Sequence, residues 1–307
     1  MNKEVFDCLI IGAGPCGISA GEVLIDKGLN VAIIECSTPG GKINIAPRVD
    51  NYPGKKEIPG PELAMFFFER LNNKKIPLIG DEVVSLEKQG NLFIVKCLNN
   101  TYESKSVVIA SGTKERMLGL ENEIKLFGHG VSYCALCDGH FYKNKDVLVI
   151  GGGNAALKEA IYLAGIVKHL TLIHRRNEFR GNTKLVDELT EFKNTEVLTP
   201  YIPIRLNGGD SLESVEIQNV ENNKVLNIKV DGVFPLVGQI PNTKFVRIPN
   251  VLNETGNVVV DKSFMTSVSG LFAGGDVLPR DIRQIYLSEH DGKIIGQNVI
   301  CFLEESK

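Results

Sequence analysis

Val5-Phe6-Asp7-Cys8-Leu9-Ile10-Ile11-Gly12-Ala13-Gly14-Pro15-Cys16-Gly17 is the stretch that decides the fold. A β-like apolar run ends at a glycine turn, a helical pattern continues to about Lys27, and a second apolar run over 31–34 ends at Glu35. Strand, tight glycine turn, helix, strand is the βαβ unit that holds the pyrophosphate of a dinucleotide. The first glycine permits the turn, and the second lets the backbone approach the phosphates. The third position must be small so that the helix can pack on the sheet. Phosphate oxygens then face the helix N-terminus, where unpaired N–H groups and the helix dipole favour negative charge. One such fingerprint alone fits an ordinary loop equally well.

The pattern occurs twice. Val147-Leu148-Val149-Ile150 leads into Gly151-Gly152-Gly153-Asn154-Ala155-Ala156, a helical pattern runs to about Ala164, and a strand over 170–173 ends at His174. The copies correspond at one constant spacing, Gly12 with Gly151, Gly14 with Gly153, Gly17 with Ala156, and Glu35 with His174. The last pair differs informatively. A carboxylate at the end of the second strand accepts hydrogen bonds from ribose hydroxyls, so Glu35 suits FAD or NAD. His174-Arg175-Arg176 with Arg180 forms a basic cluster that suits a 2′-phosphate, because guanidinium groups make forked bonds to phosphate oxygens. The first site is therefore expected to take FAD or NAD and the second NADPH.

The remaining pattern supplies a frame. Pro39-Gly40-Gly41 is a turn, followed by a Pro- and Gly-rich loop over 47–61. A helix is predicted over 61–72, with Leu63, Phe66, Phe67 and Leu71 as its apolar face. Strands are predicted over 83–86, 93–97, 105–110, near Val197, and over 215–220, 225–230 and 271–273. The last enters Gly274-Gly275-Asp276, and a helix over about 283–302 closes the chain. Because the tail carries its own strand, glycine turn and helix, the simplest architecture is an α/β fold of two Rossmann-like, three-layer ββα dinucleotide-binding domains, one inserted into the other. The first would comprise 1–113 and 242–307 and the second 114–241. The two crossings between them can act as a hinge.

The 307 residues are enough for two domains; 43% are hydrophobic and 23% charged, as in a soluble globular protein. The formal net charge of −3 gives no global basic field for nucleic acid or an anionic membrane. No apolar run approaches a membrane span, and the first residues do not read as an export signal, so the default expectation is cytoplasmic. Of seven cysteines, Cys8, Cys16, Cys36, Cys97 and Cys301 are isolated, as expected of packing or surface thiols.

Cys134-Ala135-Leu136-Cys137-Asp138 is the exception. A Cys-x-x-Cys pair can bridge, supply half a zinc site, or be two ordinary buried cysteines. Zinc would need two more ligands, and the chain offers no second cysteine doublet, only the flanking His129 and His140. A redox pair is the reading that gives two bound redox cofactors a final electron acceptor, so no metal is expected. Asp138 reads as a proton donor and acceptor beside the sulfurs, and equally as a turn former with Gly139.

With these residues in place, nearly the whole chain resembles the low-molecular-weight, bacterial-type NADPH-dependent thioredoxin reductases. The resemblance rests on 12–17, Gly40-Gly41, Asn51-Tyr52-Pro53-Gly54, Ala110-Ser111-Gly112-Thr113, Cys134 to Asp138, 151–156, 174–180, Gly274-Gly275-Asp276 and Arg283-Gln284, in the family's order and spacing. It implies that FAD is held by Gly12, Gly14, Pro15, Gly17, Glu35, Gly40, Gly41, Lys42, Asn51, Val83, Ala110, Gly112, Gly274, Asp276, Arg283 and Gln284. NADPH would be held by Gly152, Gly153, Asn154, Ala155, Ala156, His174, Arg175, Arg176 and Arg180. It also implies a homodimer with a rotating NADPH domain, Cys137 nearer the flavin, and Cys134 exchanging with the disulfide of thioredoxin or a thioredoxin-like protein. The chain departs from the family pattern at Lys42, where glutamine is common, at Ala155 in place of serine, at Lys158 in place of an acidic residue, and over 288–292. The expected function is thioredoxin-disulfide reduction, with electrons passing from NADPH through FAD to Cys134 and Cys137. The rivals are a ferredoxin-dependent disulfide reductase of the same fold, which would not need 174–180; a ferredoxin or flavodoxin reductase, which would not need the cysteine pair; and a nucleotide-binding redox sensor without turnover.

Overall fold

The computed structural model describes residues 5–46, 49, 51–55, 57–280 and 282–305. Residues 47, 48, 50 and 56 of the expected Pro- and Gly-rich loop lie outside the described residues. The chain divides into two compact units, residues 1–114 with 240–307, and residues 115–239.

In the first unit the strand Val5–Ile11 is central and pairs in parallel on both sides, with Val31–Glu35 and with Thr101–Ile109. Leu78–Gly80 and Leu271–Ala273 extend this parallel sheet. Thr101–Ile109 also pairs antiparallel with Leu92–Cys97, which pairs with Val83–Gln89. The alternation of side chains on the central strand builds the layers. Cys8 and Ile10 face the helices Pro15–Asp26, Gly60–Asn73 and Ile285–Glu305, through Ile18, Leu63, Phe67, Ile295 and Val299. Leu9 and Ile11 face Leu86, Phe93 and Val95 of the antiparallel strands. Each fully buried Leu, Ile or Phe here contributes about 1.5–3 kcal/mol relative to exposure.

The second unit repeats the plan. Four parallel strands lie in the order Thr195–Leu198, His169–Ile173, Asp146–Ile150, Gly232–Pro235. Val147, Val149, Leu170 and Leu172 pack on the helices Asn154–Ala164 and Thr183–Thr190. Leu148, Ile150 and Ile173 pack on Leu206, Val215 and Ile217 of the antiparallel strands Tyr201–Gly208, Leu212–Asn219 and Val225–Lys229. Each unit is thus antiparallel strands, parallel sheet and helices, the three-layer α/β arrangement expected.

The predicted elements fall within a few residues of those observed; the closing helix starts at Ile285 rather than about 283. Arg283 stays outside it, its guanidinium donating to the carbonyls of Asp276 and Leu278. The strands Tyr201–Gly208 and Gly232–Pro235 and the helix Thr183–Thr190 have no counterpart among the predicted elements. Among the described residues, no helix is long and apolar enough to cross a membrane.

Candidate functional site: two glycine turns and a disulfide

The two glycine turns are built alike. Gly12 N–H donates to Ile34 O at 2.8 Å, and Gly151 N–H to Ile173 O at 3.1 Å, so each turn closes onto its neighbouring strand. Gly12 has φ +107°, and a Cβ there would lie 2.4 Å from Ala110 O. A Cβ at Gly17 would lie 1.9 Å from Gly12 O, so the third position of the first turn tolerates no side chain. Ala156 fills the equivalent position in the second turn and is fully buried. The second glycines are different. A Cβ at Gly14 meets nothing within 4 Å, and at Gly153 it meets only the Arg180 guanidinium, at 3.6 Å. Space therefore lies open in front of both turns.

Both helices begin from these glycines in extended conformation with no side-chain cap, which leaves their first N–H groups for another acceptor. Pro15 at the start of the first helix has no N–H to satisfy. Open space, glycine backbone and uncapped N–H groups are what a pyrophosphate requires. The residues present fit a dinucleotide at each turn.

The surroundings differ. Glu35 Oε2 accepts from Ala13 N–H at 2.8 Å, and Oε1 accepts from Ser37 N–H at 2.9 Å, so this carboxylate braces the first turn. Gly40 N–H donates to Ala13 O at 2.7 Å, and Gly41 lies against Gly14, bringing the next loop over the turn. Lys42 follows and ion-pairs with Asp276 at 2.9 Å while donating to Thr113 Oγ1 at 3.0 Å. The departure at position 42 thus places a cation on the carboxylate that follows Gly274-Gly275. Asn51 donates to Gln284 Oε1 at 2.9 Å, joining its loop to the start of the closing helix. Gly112 has φ +65° and its carbonyl accepts from Asn242 N–H at 3.0 Å. Val83 lies farther along the antiparallel layer, opposite Cys97.

At the second turn the place of Glu35 is taken by His174, whose ring packs beneath Gly152; a Cβ there would lie 2.4 Å from Nδ1. The ring stacks on Phe179, with centroids 5.2 Å apart. Burial, against the raising effect of a hydrogen bond with the Glu178 backbone and aided by the cations Arg175, Arg176 and Arg180, holds this imidazole below the ordinary histidine range. At neutral pH it is an uncharged packing group, so the positive charge of the cluster comes from the arginines. Arg180 and Gly181 N–H groups both donate to Gly152 O at 3.0 Å, folding the arginine loop over the turn. Asn154 accepts from Asn182 N–H at 2.8 Å and Ala155 is exposed.

Cys134 and Cys137 are joined by a disulfide in the second unit. Cys134 caps the short helix Ala135–Asp138, its sulfur accepting from Cys137 N–H at 3.2 Å. Bridged in this way, the pair has no thiolate to offer a metal. Asp138 is buried and its Oδ2 accepts from Ser132 Oγ at 2.6 Å. A second carboxylate was not anticipated. Glu159, on the helix that leaves the second glycine turn, accepts from Ala135 N–H at 2.7 Å. Burial pushes its carboxyl up to about 7, against the lowering effect of that hydrogen bond. An acidic residue between Leu157 and Ala160, which both face the core, is the signal that could have found it.

The segment 288–292, where the chain departs from the family pattern, has a packing role. Asp291 is buried, and its Oδ2 accepts from Gly275 N–H at 2.8 Å and from Arg280 at 2.7 Å. Glu289 binds Arg70 and the Tyr52 hydroxyl, and Arg70 also binds Glu22. Gly292 lets the closing helix approach the first-turn helix so closely that a Cβ would lie 2.2 Å from Cys16 O. These acidic residues tie the closing helix to Tyr52, to the helix Gly60–Asn73 and to the loop after Gly274.

The comparisons with known proteins agree with this construction. Thioredoxin reductase of Ureaplasma parvum serovar 3 is 39% identical over 300 residues, covering 96% of each chain. Thioredoxin reductase of Mycoplasma pneumoniae is 38% identical over 295 residues, covering 95% of this chain and 94% of its own. The crystal structure of thioredoxin reductase from Streptococcus pyogenes MGAS5005 superposes with a TM-score of 0.90 at 38% identity, covering 98% of this chain and 99% of that one. The family model for pyridine nucleotide-disulphide oxidoreductases matches residues 6–292, from the first strand through both turns and the disulfide into the closing helix. With so much of its length accounted for, the chain belongs to the pyridine nucleotide-disulphide oxidoreductase family.

Proposed function

We propose that this chain is an NADPH-dependent flavoprotein thioredoxin-disulfide reductase. The observation that carries the proposal is a bridged Cys134–Cys137 pair in a chain that also builds two open dinucleotide turns of different character. Bound FAD and NADPH supply the hydride and electron-pair chemistry. The residues Gly12, Gly14, Gly17, Glu35 and the loops at 40–42, 51, 110–112, 274–276 and 283–284 hold the flavin nucleotide in the first unit. Gly152 to Ala156, His174 and the three arginines hold the nicotinamide nucleotide in the second. Arg175, Arg176 and Arg180 select the 2′-phosphate of NADPH by charge-assisted bonds.

Reduction breaks the Cys134–Cys137 bond and leaves two electrons on the sulfurs. Cys134 then attacks the thioredoxin disulfide, forming a mixed disulfide and releasing one thioredoxin thiolate. Cys137 displaces the second, which restores the bridge and transfers two electrons in all. Asp138, held by Ser132, gives and takes the proton that accompanies sulfur departure. The working protein is a cytoplasmic homodimer with a thioredoxin-like partner.

Purified protein is expected to be yellow and to consume NADPH steadily only when an oxidised thioredoxin is added. Cys137→Ser is expected to abolish that consumption while keeping the yellow colour. Full thioredoxin-dependent turnover in Cys137→Ser would overturn the mechanism, and a colourless wild type that consumes no NADPH would overturn the assignment.

A further inference from the structure

Two carboxylates flank the redox helix, and Asp138 accounts for only one of them. Glu159 belongs to the helix Asn154–Ala164, whose Ala156 and Ala160 are buried. Its Oε2 lies 2.7 Å from Ala135 N, the first N–H of the redox helix and the one next to Cys134. That N–H is therefore committed to a carboxylate. The Cys134 sulfur accepts from Cys137 N–H, at 3.2 Å.

We propose that Glu159 is a positioning residue that sets the redox poise of the Cys134–Cys137 pair, by holding negative charge one residue from Cys134. Reduction puts two electrons on the sulfurs and breaks their bond, and the thiolate that forms at Cys134 is opposed by this like charge. The oxidised pair carries no charge and is not opposed. Glu159 thus favours the disulfide, so that the dithiol, once formed, is the more strongly reducing. Glu115, which also acts on Glu159, lies in the same unit and adds to the negative field. The carboxyl sits near 7, so its charge is fully developed at mildly alkaline pH. The inference rests on the pair being redox-active, as proposed above.

The test is equilibration of the flavin-loaded full chain with mixtures of reduced and oxidised dithiothreitol at about pH 8.5, with acid trapping and mass measurement of the Cys134–Cys137 peptide. Glu159→Gln keeps an oxygen acceptor for Ala135 N–H and removes the charge, whereas Glu159→Ala removes both. Both variants are expected to shift the equilibrium about three- to tenfold toward the dithiol, a change appropriate to one nearby like charge. Cys134 should also be alkylated several-fold faster near neutral pH. Equal equilibria in wild type and both variants would overturn the proposal, as would a shift in Glu159→Ala that Glu159→Gln lacks. A wild-type pair that never exchanges with dithiothreitol would instead overturn the redox reading on which it rests.

Discussion

The two glycine turns share one backbone plan and diverge at the residue that braces them. Gly12 and Gly151 close onto equivalent strands, and Gly14 and Gly153 open onto equivalent space. Yet the first turn is braced by a carboxylate, Glu35 on Ala13 N–H, and the second by a neutral ring, His174 beneath Gly152. The backbone geometry that opens both turns is shared, and what differs is the set of side chains after the second strand: Glu35 at the first turn, His174 with Arg175, Arg176 and Arg180 at the second. The third positions differ as well: Gly17 admits no Cβ, whereas Ala156 already carries one.

The largest difference between the turns should appear at that third position. Gly17→Ala drives a Cβ into Gly12 O and is expected to cost about 3 kcal/mol and most of the bound flavin. Ala156→Gly should cost about 1 kcal/mol, the helix propensity difference. Thermal melts and flavin absorbance after gel filtration check both, and equal losses would break the asymmetry. Next in size, Arg175→Ala/Arg176→Ala/Arg180→Ala should raise the KM for NADPH at least about 100-fold, leaving NADH turnover and flavin content close to wild type, since even two charge-assisted bonds at about 1.5 kcal/mol each amount to that. Equal effects on both nucleotides would show that the arginines do not read the 2′-phosphate. Glu35→Ala should weaken flavin retention about tenfold without changing the NADPH KM, measured by flavin release on dilution.

The smallest effect concerns pH. His174 is held below its ordinary value of 6.5, so the unfolded chain binds the proton before the folded one does. Its contribution to stability is present above about 6.5 and is lost as pH falls through the folded value. Melting of the second unit should therefore decline on acidification, and His174→Leu should flatten that decline. An unchanged pH dependence in the variant would remove His174 as its source.

Both turns were legible in the sequence because a first glycine pressed against a neighbouring carbonyl (Ala110 O at Gly12, Leu236 O at Gly151), an open second glycine and a small third residue are backbone demands that few other residues meet. Glu35 and the arginines were legible because they occupy a fixed register after the turn. Less was visible where tertiary packing overrides local pattern. Tyr201–Gly208 contains Pro203 and register shifts at Pro203/Arg205 and Asn207/Gly208, which break the strand alternation. Gly232–Pro235 is four residues long with glycine and proline at its ends, yet it is buried throughout and completes the parallel sheet. His174 looked like part of a charge cluster because its burial depends on Gly152 and Phe179. Glu159 and Asp291 look like surface acids until the fold places Ala135 N–H and Gly275 N–H against them.

The central claim is that electrons entering this chain pass through its flavin to the Cys134–Cys137 pair. Anaerobic titration with NADPH, followed by flavin bleaching and thiol trapping, tests it most directly. The wild type should take up about two equivalents per flavin, with Cys134 and Cys137 recovered as thiols, and Cys134→Ser/Cys137→Ser should take up about one. A wild type whose flavin bleaches with about one equivalent while the disulfide stays intact would contradict the account.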